Sequence, residues 1–309
     1  MLDACWTYLG LLWDRVRKVV LHWWTGKCEI ERICAPAALT TAHRFWATQF
    51  ARSLYRSKQL STYSKIIFYP KLFSVGAACQ NLCDVKRIPI NEPLRRRITQ
   101  ALHALRYVNA IAAQLDKAQK TAVDSKSDVQ HAALLAQLWA NLRPGVSRVA
   151  DADWGEIGFQ GRDPDTDFRG LGLLGLQQLV HFSGGARADA ARHVLVVSNH
   201  PRRFFPFAAT GINVSAFVLE LLRGRHLHQL FFQRLGDDDG AEGGNRDGDG
   251  PSGSDVLVAR GVEAVHGVYA DVYERFCALW EARDPPNVMA FRGIFAEVQA
   301  EFRRKYPAL

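Results

Sequence analysis

The chain predicts an all-α fold of layered helices led by an amphipathic amino-terminal helix, on three observations. Apolar residues recur at helical spacing in several separate stretches, no sustained two-residue alternation appears, and 48% hydrophobic residues among 309 supply a sizeable core. The sole β candidate is the run His193, Val194, Leu195, Val196 and Val197, which suits a strand or a helix interior equally.

Residues 1–35 form a Trp-rich segment. An apolar run from Cys5 to Trp13 meets the basic centre Arg15, Arg17 and Lys18, and Val19, Val20, Leu21, Trp23 and Trp24 follow. The run is shorter than the roughly 20 apolar residues a spanning helix needs, and Asp3 stands where a secretory signal carries basic charge. Trp rings settle at headgroup depth and Arg and Lys reach anionic lipid, so residues 1–24 are expected to lie in a membrane interface. The alternatives are a helix packed on the main domain and a spanning segment that tolerates its central charges. Cys5 is a candidate for acylation.

Residues 36–128 are expected to form a helical region with a connector. Its stretch 36–92 mixes polar, aromatic and basic positions without a sustained period. From Pro93 a helix is clear: Leu94, Ile98, Leu102, Leu105, Val108 and Leu115 share one stripe, with Arg95, Arg96 and Arg97 off it as a solvated face. The main domain is placed at residues 129–304. Leu134, Leu135, Leu138, Trp139 and Leu142 mark its first helix, which Arg143, Pro144 and Gly145 end. Thr166 or Asp167 is placed to cap a helix carrying Leu171, Leu174, Leu179 and Phe182 that stops at Ser183, Gly184 and Gly185. Later stripes comprise Val214, Phe217, Val218, Leu221 and Leu222, then Val262, Val265, Tyr269, Val272, Phe276 and Trp280, then Val288, Phe291, Phe295, Val298 and Phe302. Between the first and second of these, residues 236–254 are acidic and glycine-rich and are expected to be disordered.

The net charge of +8 is unevenly spread: residues 1–120 carry 19 Lys and Arg against 7 Asp and Glu, and the remainder 20 against 24. A basic front on a near-neutral body fits an anionic membrane surface better than nucleic acid. Six scattered cysteines lack the spacing of a secreted disulfide scaffold, which points to a reduced, cytoplasmic setting. No metal site is expected, since Cys79 and Cys83 have no second ligand pair and the acidic insertion lacks the ligand order of a calcium loop. His181, His193 and His200 are scattered. The chain has no Gly-x-x-x-x-Gly-Lys-Ser/Thr loop, no His-Glu-x-x-His and no Gly-x-Ser-x-Gly, so neither its own nucleotide site nor a cofactor is expected.

The stretch from Trp154 to Gly172 is the most informative. Arg169 lies between Asp167 and the glycines Gly170 and Gly172, so a small-residue backbone permits close approach while a guanidinium projects. In the first turn of a helix a cation is disfavoured by about 0.3–1 kcal/mol, so local stability does not explain it. An ion pair with Asp163, Asp165 or Asp167 is the structural alternative.

The run Trp154, Gly155, Glu156, Ile157, Gly158, Phe159, Gln160, Gly161, Arg162, Asp163, Pro164, Asp165, Thr166, Asp167, Phe168, Arg169, Gly170 resembles the signature of the ELMO domain family. Phe205, Pro206, Phe207, Gly211, Ile212 and Asn213, and later Trp280, Asp284, Pro285, Val288, Met289 and Phe291, resemble further landmarks. Residues 25–34 resemble the amino-terminal region of the short, animal-type members. The resemblance implies a helical ELMO domain acting as a GTPase-activating protein for the GTP-bound form of Arf-family and Arf-like small GTPases, with one arginine supplied in trans; here that residue is Arg169. It casts Gln160 and Asp167 as loop-positioning hydrogen-bonding groups, Pro164 as a stiffener, and Trp154, Phe159 and Phe168 as core anchors. Gly158, Thr166, Gly170 and Gly172 complete the set expected to position the loop or meet the partner. The alternative is a non-catalytic ELMO adaptor or scaffold that binds small GTPases. The expected location is cytoplasmic, peripheral on an intracellular membrane.

Overall fold

A computed structural model describes residue 13 and residues 16–35, 43–60, 74–89, 91–241 and 251–309. Among them every regular element is a helix or a 3-10 turn. The helices are α1 (Glu29–Ile33), α2 (His43–Arg56), α3 (Val75–Lys86), α4 (Glu92–Lys120), α5 (Val129–Leu142), α6 (Gly172–Ser183), α7 (Ala188–Ser198), α8 (Phe207–Arg223), α9 (His228–Ala241), α10 (Pro251–Arg283) and α11 (Phe291–Lys305). The backbone is also helical over residues 16–25. None of the described helices is long and apolar enough to cross a membrane.

Two compact units divide the chain, one comprising residues 1–109, 228–248 and Leu309, the other residues 110–227 and 249–308. In the first, α2 buries Trp46, Phe50 and Leu54, and α9 brings in Phe231 and Phe232. Tyr107 meets Phe231 edge-on at 6.3 Å, and the Arg97 guanidinium lies 5.5 Å from the Trp46 ring centre. Both α2 and α3 lie inside the stretch that showed no sustained period. The α4 stripe is buried from Leu94 to Leu115.

The second unit is built around α6. This helix is buried on nearly every side because α5, α7, α8 and α10 all pack on it, and its apolar content is correspondingly continuous. Phe182, Phe207, Tyr269 and Tyr273 cluster there, with the Tyr273 hydroxyl donating to the Phe207 carbonyl. Beside them Phe205, Phe276 and Trp280 pack ring against ring, and the Trp280 indole N–H donates to the Arg203 carbonyl at 2.9 Å.

The structure decides the open reading of one run and adjusts one stripe. The run 193–197 is helical within α7, whose other face is solvated: Val194, Leu195 and Val197 are buried while Val196 is exposed. Helix α9 runs to Ala241 and α10 begins at Pro251, where proline suits a first helical position; the expectation of disorder for 236–254 falls mainly on residues 242–250, which lie outside the described set. On α11, Ile294 joins the buried stripe, whereas Val288 sits exposed in a preceding 3-10 turn.

Candidate functional site

Residues 154–172 hang from α5 by a ladder of aromatic rings. Trp139 of α5 meets Trp154 at 5.8 Å, Trp154 meets Phe159 at 5.7 Å, and Phe159 meets Phe168 at 5.6 Å, all edge to face. All four rings are buried. Such pairs add about 0.5–1.5 kcal/mol each beyond area burial, enough to hold an otherwise irregular segment on the domain.

Two glycines let the backbone close in. Gly158 has φ of 82°, and a Cβ there would lie 2.2 Å from the Phe207 nitrogen, so the loop rests directly on the start of α8; its carbonyl accepts from the Ala209 N–H at 3.3 Å. Gly172 has φ of 50°, and a Cβ there would lie 2.3 Å from the Gln119 carbonyl oxygen. Gly172 therefore serves internal packing against residues 119–121, and the Leu173 N–H donates to the Thr121 carbonyl at 2.8 Å. Gly170, by contrast, is exposed with open space where a Cβ would project.

The aspartates in and just before the loop bond to other groups of the domain, and Glu156 pairs with Arg143. Asp153 accepts from the N–H groups of Val149 and Ala150, and those bonds hold its carboxyl below the usual carboxylate range. Asp163 accepts from Lys126 Nζ at 2.6 Å and from the Asp165 N–H at 3.2 Å; the Lys126 ammonium is the main reason its pKa is depressed. The lysine is correspondingly raised. Asp165 accepts from the N–H and hydroxyl of Ser125 at 2.7 and 2.9 Å. Asp167 accepts from the Gln160 N–H at 2.8 Å, so Gln160 closes the loop through its backbone, and its side chain is exposed.

These bonds correct two expectations around Arg169. Neither Thr166 nor Asp167 caps α6: the Thr166 hydroxyl donates to the Asp163 carbonyl at 2.8 Å, and Asp163 itself caps a 3-10 turn, Pro164–Phe168, with Pro164 buried in its first position. Arg169 ends that turn instead of entering the helix. The ion pair with Asp163, Asp165 or Asp167 does not form; the three carboxylates accept from Lys126, Ser125 and backbone N–H groups instead. Arg169 is exposed, and its guanidinium has no hydrogen bond or ion pair to any described residue.

Lys126, Ser125, Gln119 and Thr121 went unmarked in the sequence. They stand about 40 to 50 residues before their loop partners, with no local signal for the pairing. Next to the ladder Ser125 and Lys126 help form a cleft of about 600 Å³, lined also by Trp139, Arg148, Trp154, Arg162 and Pro164, among others.

The profile of the ELMO/CED-12 family matches residues 113–295, which include the whole loop. The chain belongs to the ELMO/CED-12 family. It is 30% identical over 297 residues to ELMO domain-containing protein B of Dictyostelium discoideum, covering 94% of this chain and 93% of that one. It is also similar to ELMO domain-containing protein 1 of Bos taurus, 32% identical over 250 residues and 73% of each chain. With ELMO domain-containing protein 2 of Homo sapiens it shares 32% identity over 226 residues, 69% of this chain and 73% of that one. No solved structure matches it.

Proposed function

We propose that this protein accelerates GTP hydrolysis on a GTP-bound small GTPase of the Arf family or its Arf-like relatives by lending Arg169 to the partner's active site. One observation carries the reading: Arg169 is exposed and unpartnered among the described residues, on a loop whose aspartates Asp163, Asp165 and Asp167 each accept from groups other than Arg169. A bound GTPase brings its own phosphate loop, magnesium and water-positioning glutamine, and lacks only a cation for the charge that develops between the β- and γ-phosphates. The guanidinium fork meets two oxygens at once, and Gly170 beside it keeps the approach open. The cationic cleft next to the loop offers a second contact for an acidic partner surface.

The test is hydrolysis by a panel of GTP-loaded Arf-type GTPases with wild type and Arg169→Lys. Lysine keeps the charge and loses the fork, so stimulation is expected to fall by at least about 10³ while GTPase binding survives. Full stimulation by the variant overturns the mechanism, and wild-type binding without any stimulation favours the adaptor.

The amino-terminal segment is proposed to hold the protein on the cytoplasmic face of an intracellular membrane. Residues 1–12, Cys5 included, lie outside the described set, but over 16–25 the helix leaves Val16, Val19, Val20, Trp23 and Trp24 exposed, the tryptophans by 87% and 79%. Their spacing gives one apolar face, with Arg17 beside it. Deleting residues 1–24 is expected to abolish sedimentation with anionic vesicles and to leave hydrolysis in solution intact; unchanged sedimentation overturns the assignment.

A further inference from the structure

Away from the signature loop, where α7 packs on α10, three potential metal ligands converge. His193 of α7 faces Cys277 and Glu281 of α10, and one ligand atom from each lies within 4.8 Å of the others. Cys277 and Glu281 are four residues apart on one helix and so share a face. The His193 Nε2 is 3.2 Å from a Glu281 carboxylate oxygen. Burial is graded: Cys277 lies in the core at 2% exposure, Glu281 is half-buried, and the His193 side chain is 62% exposed, which leaves a path for an ion from solvent.

We propose that His193, Cys277 and Glu281 form a zinc site that clamps α7 to α10. A thiolate, an imidazole and a carboxylate are a borderline-soft donor set that suits zinc, whereas magnesium and calcium take oxygen ligands. Tetrahedral zinc with Zn–N and Zn–O near 2.1 Å and Zn–S near 2.3 Å needs ligand atoms about 3.5 Å apart, so no pair has to close by more than about 1.3 Å. Three protein ligands leave the fourth position to water on the exposed His193 side. Binding turns the thiol into a thiolate, and the released proton goes to solvent.

The charged groups around the site are Arg202, Arg203 and Asp284. The Arg203 guanidinium lies 4.0 Å from Glu281 and 3.1 Å from Asp284, a carboxylate it shares with Arg202, so it keeps one acidic partner when Glu281 turns to the metal. None of these residues touches Arg169 or its loop bonds, so the zinc site stands or falls independently of the hydrolysis proposal.

The experiment titrates the full, chelator-treated chain with cobalt(II) and then zinc(II). A near-ultraviolet thiolate-to-cobalt charge-transfer band at one equivalent, bleached by zinc, is the expected result. His193 is exposed, so His193→Ala keeps the fold and is expected to weaken binding at least about tenfold; Cys277→Ser, which nearly preserves volume, is expected to abolish the band. Zinc is further expected to raise the Tm of the wild type and not that of His193→Ala. Absence of the band, or a band that His193→Ala leaves unchanged, overturns the site, and this holds even where Cys277→Ser fails to fold.

Discussion

Arginines on the α10 side of the main unit and the arginine of the signature loop live under opposite conditions. Arg187 bonds Asp271 and Glu274, Arg202 and Arg203 share Asp284, Arg275 meets Glu301, and Arg283 meets Glu297. In the loop Asp163, Asp165 and Asp167 are nearer in sequence than any of these partners, yet Arg169 is left without one. The difference follows from what competes for an acid. A helix satisfies its own backbone, so its carboxylates are free for neighbouring cations. An irregular loop has N–H groups to satisfy, and leaving one buried and unpaired costs about 1–3 kcal/mol, against roughly 0–1 kcal/mol gained from an exposed ion pair. The aspartates therefore go to the backbone, to Ser125 and to Lys126, and the guanidinium stays available at little cost in stability.

The contrast can be broken most decisively by kinetics. Arg169→Lys is expected to cost at least about 10³ in stimulated hydrolysis without moving the thermal midpoint, since surface changes of this kind stay within about 0.5 kcal/mol. A matching loss of stability would place Arg169 among the structural arginines.

Next in size is the scaffold that presents it. Gly172→Ala combines a positive φ with a clash against the Gln119 and Thr121 carbonyls, and is expected to destabilise the protein by roughly 2–4 kcal/mol in urea unfolding. Gly170→Ala, two residues away in open space, is expected to change stability by less than about 0.5 kcal/mol.

On the helical side, Arg203→Ala is expected to cost about 1 kcal/mol, because its side chain is only 22% exposed and serves two carboxylates, and to leave hydrolysis at the wild-type rate. The smallest effect concerns pH. Asp163 is depressed chiefly by its bond to Lys126, so its contribution is complete above the ordinary aspartate pKa of about 3.9 and is lost as pH falls through its lower folded value. A carboxyl-carbon titration by NMR should show Lys126→Ala moving the Asp163 midpoint upward.

Much of the helical frame was legible because amphipathic period is a property of neighbouring residues. The stripes of Leu94 to Leu115 and of Val214 to Leu222 are buried where the pattern puts them. Helices α2 and α3 were missed where buried residues such as Trp46, Phe50 and Cys79 are interrupted by basic and polar ones that blur the period. The site was legible only in its composition. A glycine's placement says nothing about whether it opens space, as at Gly170, or fills it, as at Gly172. Cys277 and Glu281 carried a readable four-residue spacing, but His193 lies more than 80 positions away.

The order of residues by itself determined most of the helices, their punctuation at Pro144 and Gly145, and the presence of Arg169 in a glycine-rich signature, because propensity and period act over a few positions along the chain. Only the tertiary structure decided that Asp163, Asp165 and Asp167 turn to Lys126, Ser125 and the Gln160 backbone. A carboxylate chooses among all donors within reach in space, and at these three positions the donors within reach come from residues 125 and 126 and from the loop's own backbone.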